Sequence, residues 1–393
     1  MLCIKKIITS FLICFTFVFL CSCEYTSNQE VMPEFFGENS NIQVLKETSA
    51  PKSIVSFYKS TVIHESEEAL FYNNPKIAAD SDGRMYIEGM KKVHVFDQNG
   101  TFIGTIGREG RGPGEFQVIH NFKIRGNDLY VYDANLSRVS IFETESFELQ
   151  DVINIPSVNG SIGLGEFDLL GKEHLIVGMR QAHRTSGSAV IEQFMHYYII
   201  DFHGNVQLPS MVTTDIYDYY EIPGDRGVSY PPIPFDRTTL FSLSPSGKLY
   251  FLHTDRIAIK VLNDKGEFLT GLYYPFHNVE IQSEREFPGL YHVLDIITNT
   301  KNILGNRLPR THPAVSTFFI DDVERLWLAT IIDNLNLYEW WVLEKTGELI
   351  TRFEWPRNEP IEVVRNGYMY TRQTDEETGL QQVVRYRIEW EEV

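Results

Sequence analysis

The stretch "IRGNDLYVYDANLSRVSIFETESFELQDVI", Ile124–Ile153, holds three short apolar runs separated by turn residues. A Gly-Asn-Asp turn leads into "LYVYD". The turn "ANLSR" leads into "VSIFE", and a polar turn leads into "LQDVI". Runs of this length, rich in Tyr, Val and Ile and broken by Gly, Asn, Asp and Ser, read as antiparallel strands. Related stretches begin at Asp80, Leu169, Leu243, Ile320 and Val363. Their first turns fall at Gly83, Gly126, Gly171, Gly247, Glu324 and Gly367, spaced 43, 45, 76, 77 and 43 residues apart. Three of these spacings suit one four-stranded propeller blade. The long two imply insertions near residues 210–238 and 275–312, or else a degenerate seventh blade. A single blade has two apolar faces and cannot bury them alone, so blades must pack side by side and close a ring. The expected fold is therefore all-β: a six-bladed β-propeller of four-stranded antiparallel blades over residues 51–393, with seven blades the lesser alternative. The strand-like "SIVSFYKSTVIHE" (Ser53–Glu65) is expected to pair with the last blade, which ends at "RYRIEW", and so to close the ring.

The N-terminus carries a different signal. Lys5 and Lys6 precede the apolar run "IITSFLICFTFVFLC" (Ile7–Cys21), which is too short to span a bilayer and suits a signal peptide. It runs into "LCSC" (Leu20–Cys23), which resembles a bacterial lipobox. The resemblance implies a signal peptide over residues 1–22 and an acylated Cys23. All four cysteines lie in the first 23 residues, so a body stapled by disulfides or built around cysteine-held metal is excluded. Residues 23–50 are polar and read as a flexible tether.

The chain has 35 basic and 53 acidic residues, a net charge of −18, and cleavage before Cys23 would take it to −20. A nucleic-acid partner is disfavoured, as is electrostatic docking to anionic lipid. Membrane attachment is expected through acyl chains alone. The expected location is the cell envelope, at the outer membrane, with the face undecided.

"TIGREGRGPGEF" (Thr105–Phe116) has four glycines, yet no helix and no Lys-Ser/Thr follows it, so it is not read as a phosphate loop. Its glycines are expected to permit a tight path between blades. "GREGRGPGEF", followed by "NDLYVYDANLSRVSIF", resembles an NHL repeat. The whole arrangement is similar to the six-bladed β-propeller lipoproteins of Bacteroidota. That resemblance implies fold and envelope location and no settled reaction.

Arg108 and Arg111, with Glu109 and Glu115, read either as a charged rim of the channel that binds a polar or acidic ligand, or as mutual ion pairs that fix the linker. Asp133, Asn135 and Arg138 read as structural turn residues. "DSDG" (Asp80–Gly83) starts like a calcium loop, but Lys91 stands where the loop needs its Glu. His174, His183, His196 and His203 crowd one repeat, and His94, His120, His253 and His312 are the set that could converge on a channel. No catalytic residue, metal site or cofactor is assigned. The insertion "DIYDYYEIPGDRGVSYPPIPFDR" (Asp215–Arg237) carries Tyr217, Tyr219, Tyr220 and Tyr230 on a proline-stiffened loop. These rings suit stacking on a glycan or an apolar partner, or else serve as a buried lid. The expected role is a binding or scaffolding module for a glycan, peptide or envelope protein. A lyase or hydrolase with a site in the channel is the alternative.

Overall fold

The computed structural model describes residues 34–46, 50–158, 160–224, 227–282, 286 and 294–393. Six four-stranded antiparallel units follow one another along the chain. Blade 1 comprises Ile77–Ala79, Met85–Gly89, Lys92–Phe96 and Phe102–Ile106. Blade 2 comprises Ile119–Arg125, Asp128–Asp133, Arg138–Glu143 and Leu149–Asn154, and blade 3 Gly163–Leu170, His174–His183, Val190–Asp201 and Val206–Tyr220. Blade 4 comprises Thr239–Leu243, Leu249–His253, Ile257–Leu262 and Phe268–Tyr274, and blade 5 Val315–Ile320, Leu326–Ile331, Leu337–Leu343 and Leu349–Pro356. Blade 6 has only three consecutive strands, Ile361–Arg365, Tyr368–Thr374 and Gln381–Glu392. Its fourth is Ser53–His64, antiparallel to Gln381–Glu392 from Ser53 opposite Glu392 to His64 opposite Gln382. The ring is thus closed by the strand expected to close it, and six is the blade number.

The turns explain why the pattern repeats. All six first-turn positions, Gly83, Gly126, Gly171, Gly247, Glu324 and Gly367, have φ between 57° and 83°. That left-handed region favours glycine, and Glu324 occupies it at a cost. Carboxylates brace the same turns. Asp80 Oδ1 accepts the N–H groups of Asp82 and Arg84 at 2.9 Å each, so the calcium-like "DSDG" spends its carboxylate on its own backbone. Asp97 does the same for Asn99 and Thr101 in the Asp-x-x-Gly turn between the outer strands.

The core is divided among the blade interfaces. Six clusters of buried apolar residues lie between blades 1 and 2, 2 and 3, 3 and 4, 4 and 5, 5 and 6, and 6 and 1. No blade holds a core of its own, which is the physical reason for the ring.

From Glu34 to Lys46 the segment read as flexible tether is docked on blade 4. Ile42–Val44 pairs in parallel with Gly271–Tyr273, and Phe36 is 1% exposed against Ala258 and Tyr273. Gly271 makes the room, since a Cβ there would lie 2.7 Å from the Phe36 ring. The apolar Phe35, Phe36, Ile42 and Leu45 outweigh the polar residues around them once a complementary wall is available.

Candidate functional site

The first strand of each blade lines a central channel of about 690 Å³. Most of its charge is internally matched. Lys76 Nζ lies 3.2 Å from Glu88, Lys123 Nζ 2.9 Å from Asp168, and Glu362 2.6 Å from Arg372. Arg125 donates to the Gly171 carbonyl across the gap between blades 2 and 3.

The densest group joins blades 2 and 3. Glu166 and Asp168 alternate on the inner strand Gly163–Leu170, so both point the same way. Asp168 pairs with Lys123, and Glu166 accepts a hydrogen bond from the Tyr197 hydroxyl. Gly178 stands between them: a Cβ there would come within 3.1 Å of Glu166 Cγ. Burial pushes the Glu166 carboxyl up to about 7, against the pull of the Tyr197 hydrogen bond and the Lys123 charge. Burial, then the Glu166 charge, drives Tyr197 well above the ordinary phenol range. Lys123 is desolvated, yet Asp168 and Glu166 hold its pKa above the usual lysine value. The group can hold or release a proton in the channel wall near neutral pH. No sequence motif marks it. Its one visible trace is two carboxylates at alternating positions in the otherwise apolar strand "LGEFDLL".

The glycine linker enters as a strap between blades 1 and 2, with Phe116 fully buried beneath it. Glu115 organises it, accepting from Arg108 Nε at 3.0 Å and from the N–H groups of Arg111 and Gly112 at 3.0 and 2.7 Å. Arg138 donates to the Gly112 and Glu115 carbonyls. Asp133 accepts from Gln117, Asn135 and Leu136. Of the two readings of this loop, ion pairing describes Arg108. The Arg111 side chain is exposed at the loop surface and is not a lining residue of the channel.

The four tyrosines separate. Tyr217 (40% exposed) and Tyr219 sit side by side with ring centroids 5.7 Å apart, and Tyr230 is 49% exposed. Tyr220 is fully buried, and its hydroxyl lies 2.6 Å from Thr300 Oγ1 on the helix Leu294–Leu304. Tyr220 is therefore a core residue fastening the two insertions together, not a ligand-binding ring. The rest of that small core is Ile233 and Leu304.

The histidines do not meet. His94 bonds the Leu70 carbonyl in blade 1, His120 the Gly165 carbonyl, His196 Thr213, and His312 Glu286. Among the described residues no group of three or more His, Cys, Asp or Glu is placed to hold a metal ion. Cys23 lies outside the described residues.

Residues 40–202, which run from the docked N-terminal segment through the closing strand to the third strand of blade 3, match a family described as a 6-bladed beta-propeller. The chain is a six-bladed β-propeller. It is similar to a solved structure from Bacteroides fragilis, of a protein named as exported, with a TM-score of 0.53 and 14% identity over 88% of this chain and 99% of that one. It is also similar to a member of the DUF4221 family from Bacteroides vulgatus, with a TM-score of 0.51 and 12% identity over 87% of this propeller and 100% of the other. At such identities the likeness speaks to fold alone. No curated protein matches the chain.

Proposed function

We propose that this propeller is exported, is held at the cell envelope by acyl chains on Cys23, and works as a binding module for a protein or glycan partner. One observation carries the binding role. In an antiparallel meander, the turn after each first strand and the turn after each third strand emerge on one face. The remaining turns and the links between blades emerge on the other. Exposed large apolar residues in the turns concentrate on the second face: Leu70, Tyr72, Met90, Val118, Ile162 and Tyr230. In its turns the first face carries carboxylate braces and, among the described residues and apart from the chain end, Val323 as a large exposed apolar side chain, while Ile54, Ile103, Val206 and Leu269 stand at the starts of the outer strands beside it. Concentration of apolar and aromatic surface on one face marks a partner surface. Export is supported by the signal-like N-terminus and by the name of the Bacteroides fragilis protein.

The test is a pull-down from solubilised envelope fractions together with a glycan array. Wild type should capture one enriched partner or glycan class, and Tyr72→Ser with Met90→Ser should lose it. Capture that survives both changes would remove the face from the argument. Retention of a Cys23→Ser chain in the membrane fraction would remove the anchor.

A second reading, a propeller enzyme, draws on the Lys123, Glu166, Asp168 and Tyr197 group. It requires turnover of a polymeric substrate that Glu166→Gln abolishes.

A further inference from the structure

A second cavity, of about 560 Å³, lies away from the channel, in the groove between blades 3 and 4. Its walls are Val212–Asp215 on the outer strand of blade 3, and Phe251, His253, Ala258 and Lys260 on blade 4. Glu34 and Phe35 of the docked N-terminal segment close one side.

Its charges are not equivalent. Asp255 is already engaged by two guanidiniums, Arg237 at 2.9 Å and Arg256 at 3.3 Å. Lys260 is different. Its ammonium is half-buried, lies 4.5 Å from the Phe35 ring centroid, and makes no ion pair among the described residues. Burial holds its pKa below the ordinary lysine value, with Asp215 the one acid that raises it. A desolvated cation without a close anion lacks the compensation that buried charges normally have. Asp215 and Thr213 are exposed on the facing strand and can take hydroxyl protons. Phe35, with the Lys260 ammonium over its ring, gives the groove an apolar wall, and its ring lies 5.5 Å from that of His253.

We infer that this groove binds a small hydroxylated carboxylate, a sugar acid or hydroxy acid. The ligand carboxylate would sit on Lys260, its hydroxyls on Asp215 and Thr213, and its carbon skeleton beside Phe35. The groove opens beside the loop face, through Asp255 and Arg256 of the turn after the second strand of blade 4, but it uses none of the exposed apolar residues named above and stands or falls without them.

The test is isothermal titration of the purified protein with D-glucuronate, D-glucose and acetate. Glucuronate should bind saturably and at least tenfold more tightly than either other probe: glucose lacks the carboxylate and acetate lacks the hydroxyls. Lys260→Met should weaken glucuronate at least tenfold while Lys260→Arg largely restores it. Asp215→Asn, on an exposed position, should narrow the gap between glucuronate and acetate, and it serves if Lys260→Met does not fold. Absence of saturable glucuronate binding, equal binding of glucose, or unchanged affinity in both Lys260→Met and Asp215→Asn would overturn the proposal.

Discussion

Gly107 has the Phe116 ring where its own Cβ would stand, and its φ is 76°. Both facts oppose any side chain, the first by overlap and the second by left-handed strain. Gly107→Ala should therefore destabilise the fold by about 2–5 kcal/mol, summing roughly 1 to 2 of strain and 1 to 3 of overpacking. Urea denaturation measures this, and a loss under about 0.5 kcal/mol would mean the linker simply moves aside, as tolerated surface changes do. Glu166 makes a prediction of opposite character. Its carboxyl is raised from an ordinary 4.5 to about 7, so between those values the folded state binds more protons than the unfolded one. Stability must then fall as pH rises through that window and lose no more from this group above it. Glu166→Gln keeps an acceptor for Tyr197 and removes the titration. The variant should gain on wild type from pH 4.5 to 7 and run parallel to it beyond, as read by denaturation at each pH. Parallel curves throughout would place Glu166 in water. Gly107, behind the first prediction, was readable in the sequence because a glycine-rich stretch with no helix or Lys-Ser/Thr after it reports a tight backbone path. Glu166 was not, because its environment comes from Lys123, Asp168 and Tyr197, brought together only by strand register.

At the scale of the element, two strands near the N-terminus differ in what depends on them. Ser53–His64 completes blade 6, and its Ile63 belongs to the core between blades 6 and 1. Ile42–Val44 adds a fifth strand to a blade already complete. A chain beginning at Pro51 should fold, less stable by about 3 kcal/mol from the lost burial of Phe36 and a few hydrogen bonds. A chain beginning at Glu65 leaves the Gln381–Glu392 edge unpaired and Val383, Val384 and Ile388 uncovered, and should aggregate. Near-UV circular dichroism and size-exclusion chromatography distinguish the two, and a soluble, folded chain from Glu65 would contradict the closure. The closing strand was legible because a twelve-residue run rich in β-branched and aromatic residues, with no Gly or Pro, sits just ahead of the first repeat. The docked segment was not, because a three-residue strand carries almost no periodic signal and its partner wall lies more than 200 residues away. Tyr220 escaped for a related reason. Tyr217, Tyr219 and Tyr220 look equivalent in "YDYY", and only the irregular register near Ile191 and Gln193 decides which ring turns inward.

For the whole molecule, the division of the core among six interfaces has a thermodynamic consequence. Each blade shares its apolar surface with two neighbours, and the ring closure leaves no end from which unfolding can start cheaply. An open solenoid could fray repeat by repeat, whereas a closed ring must lose two interfaces to free one blade. The five tryptophans test this, because all of them, Trp327, Trp340, Trp341, Trp355 and Trp390, lie in blades 5 and 6. Their fluorescence reports one side of the ring, and far-UV circular dichroism reports all of it. The two urea transitions should coincide. Gly107→Ala, seated between blades 1 and 2, should then move the tryptophan transition by as much as it moves the dichroism. If the fluorescence midpoint stayed fixed while the dichroism midpoint fell, blades 1 and 2 would be unfolding on their own. The closed ring would then no longer be the unit of stability.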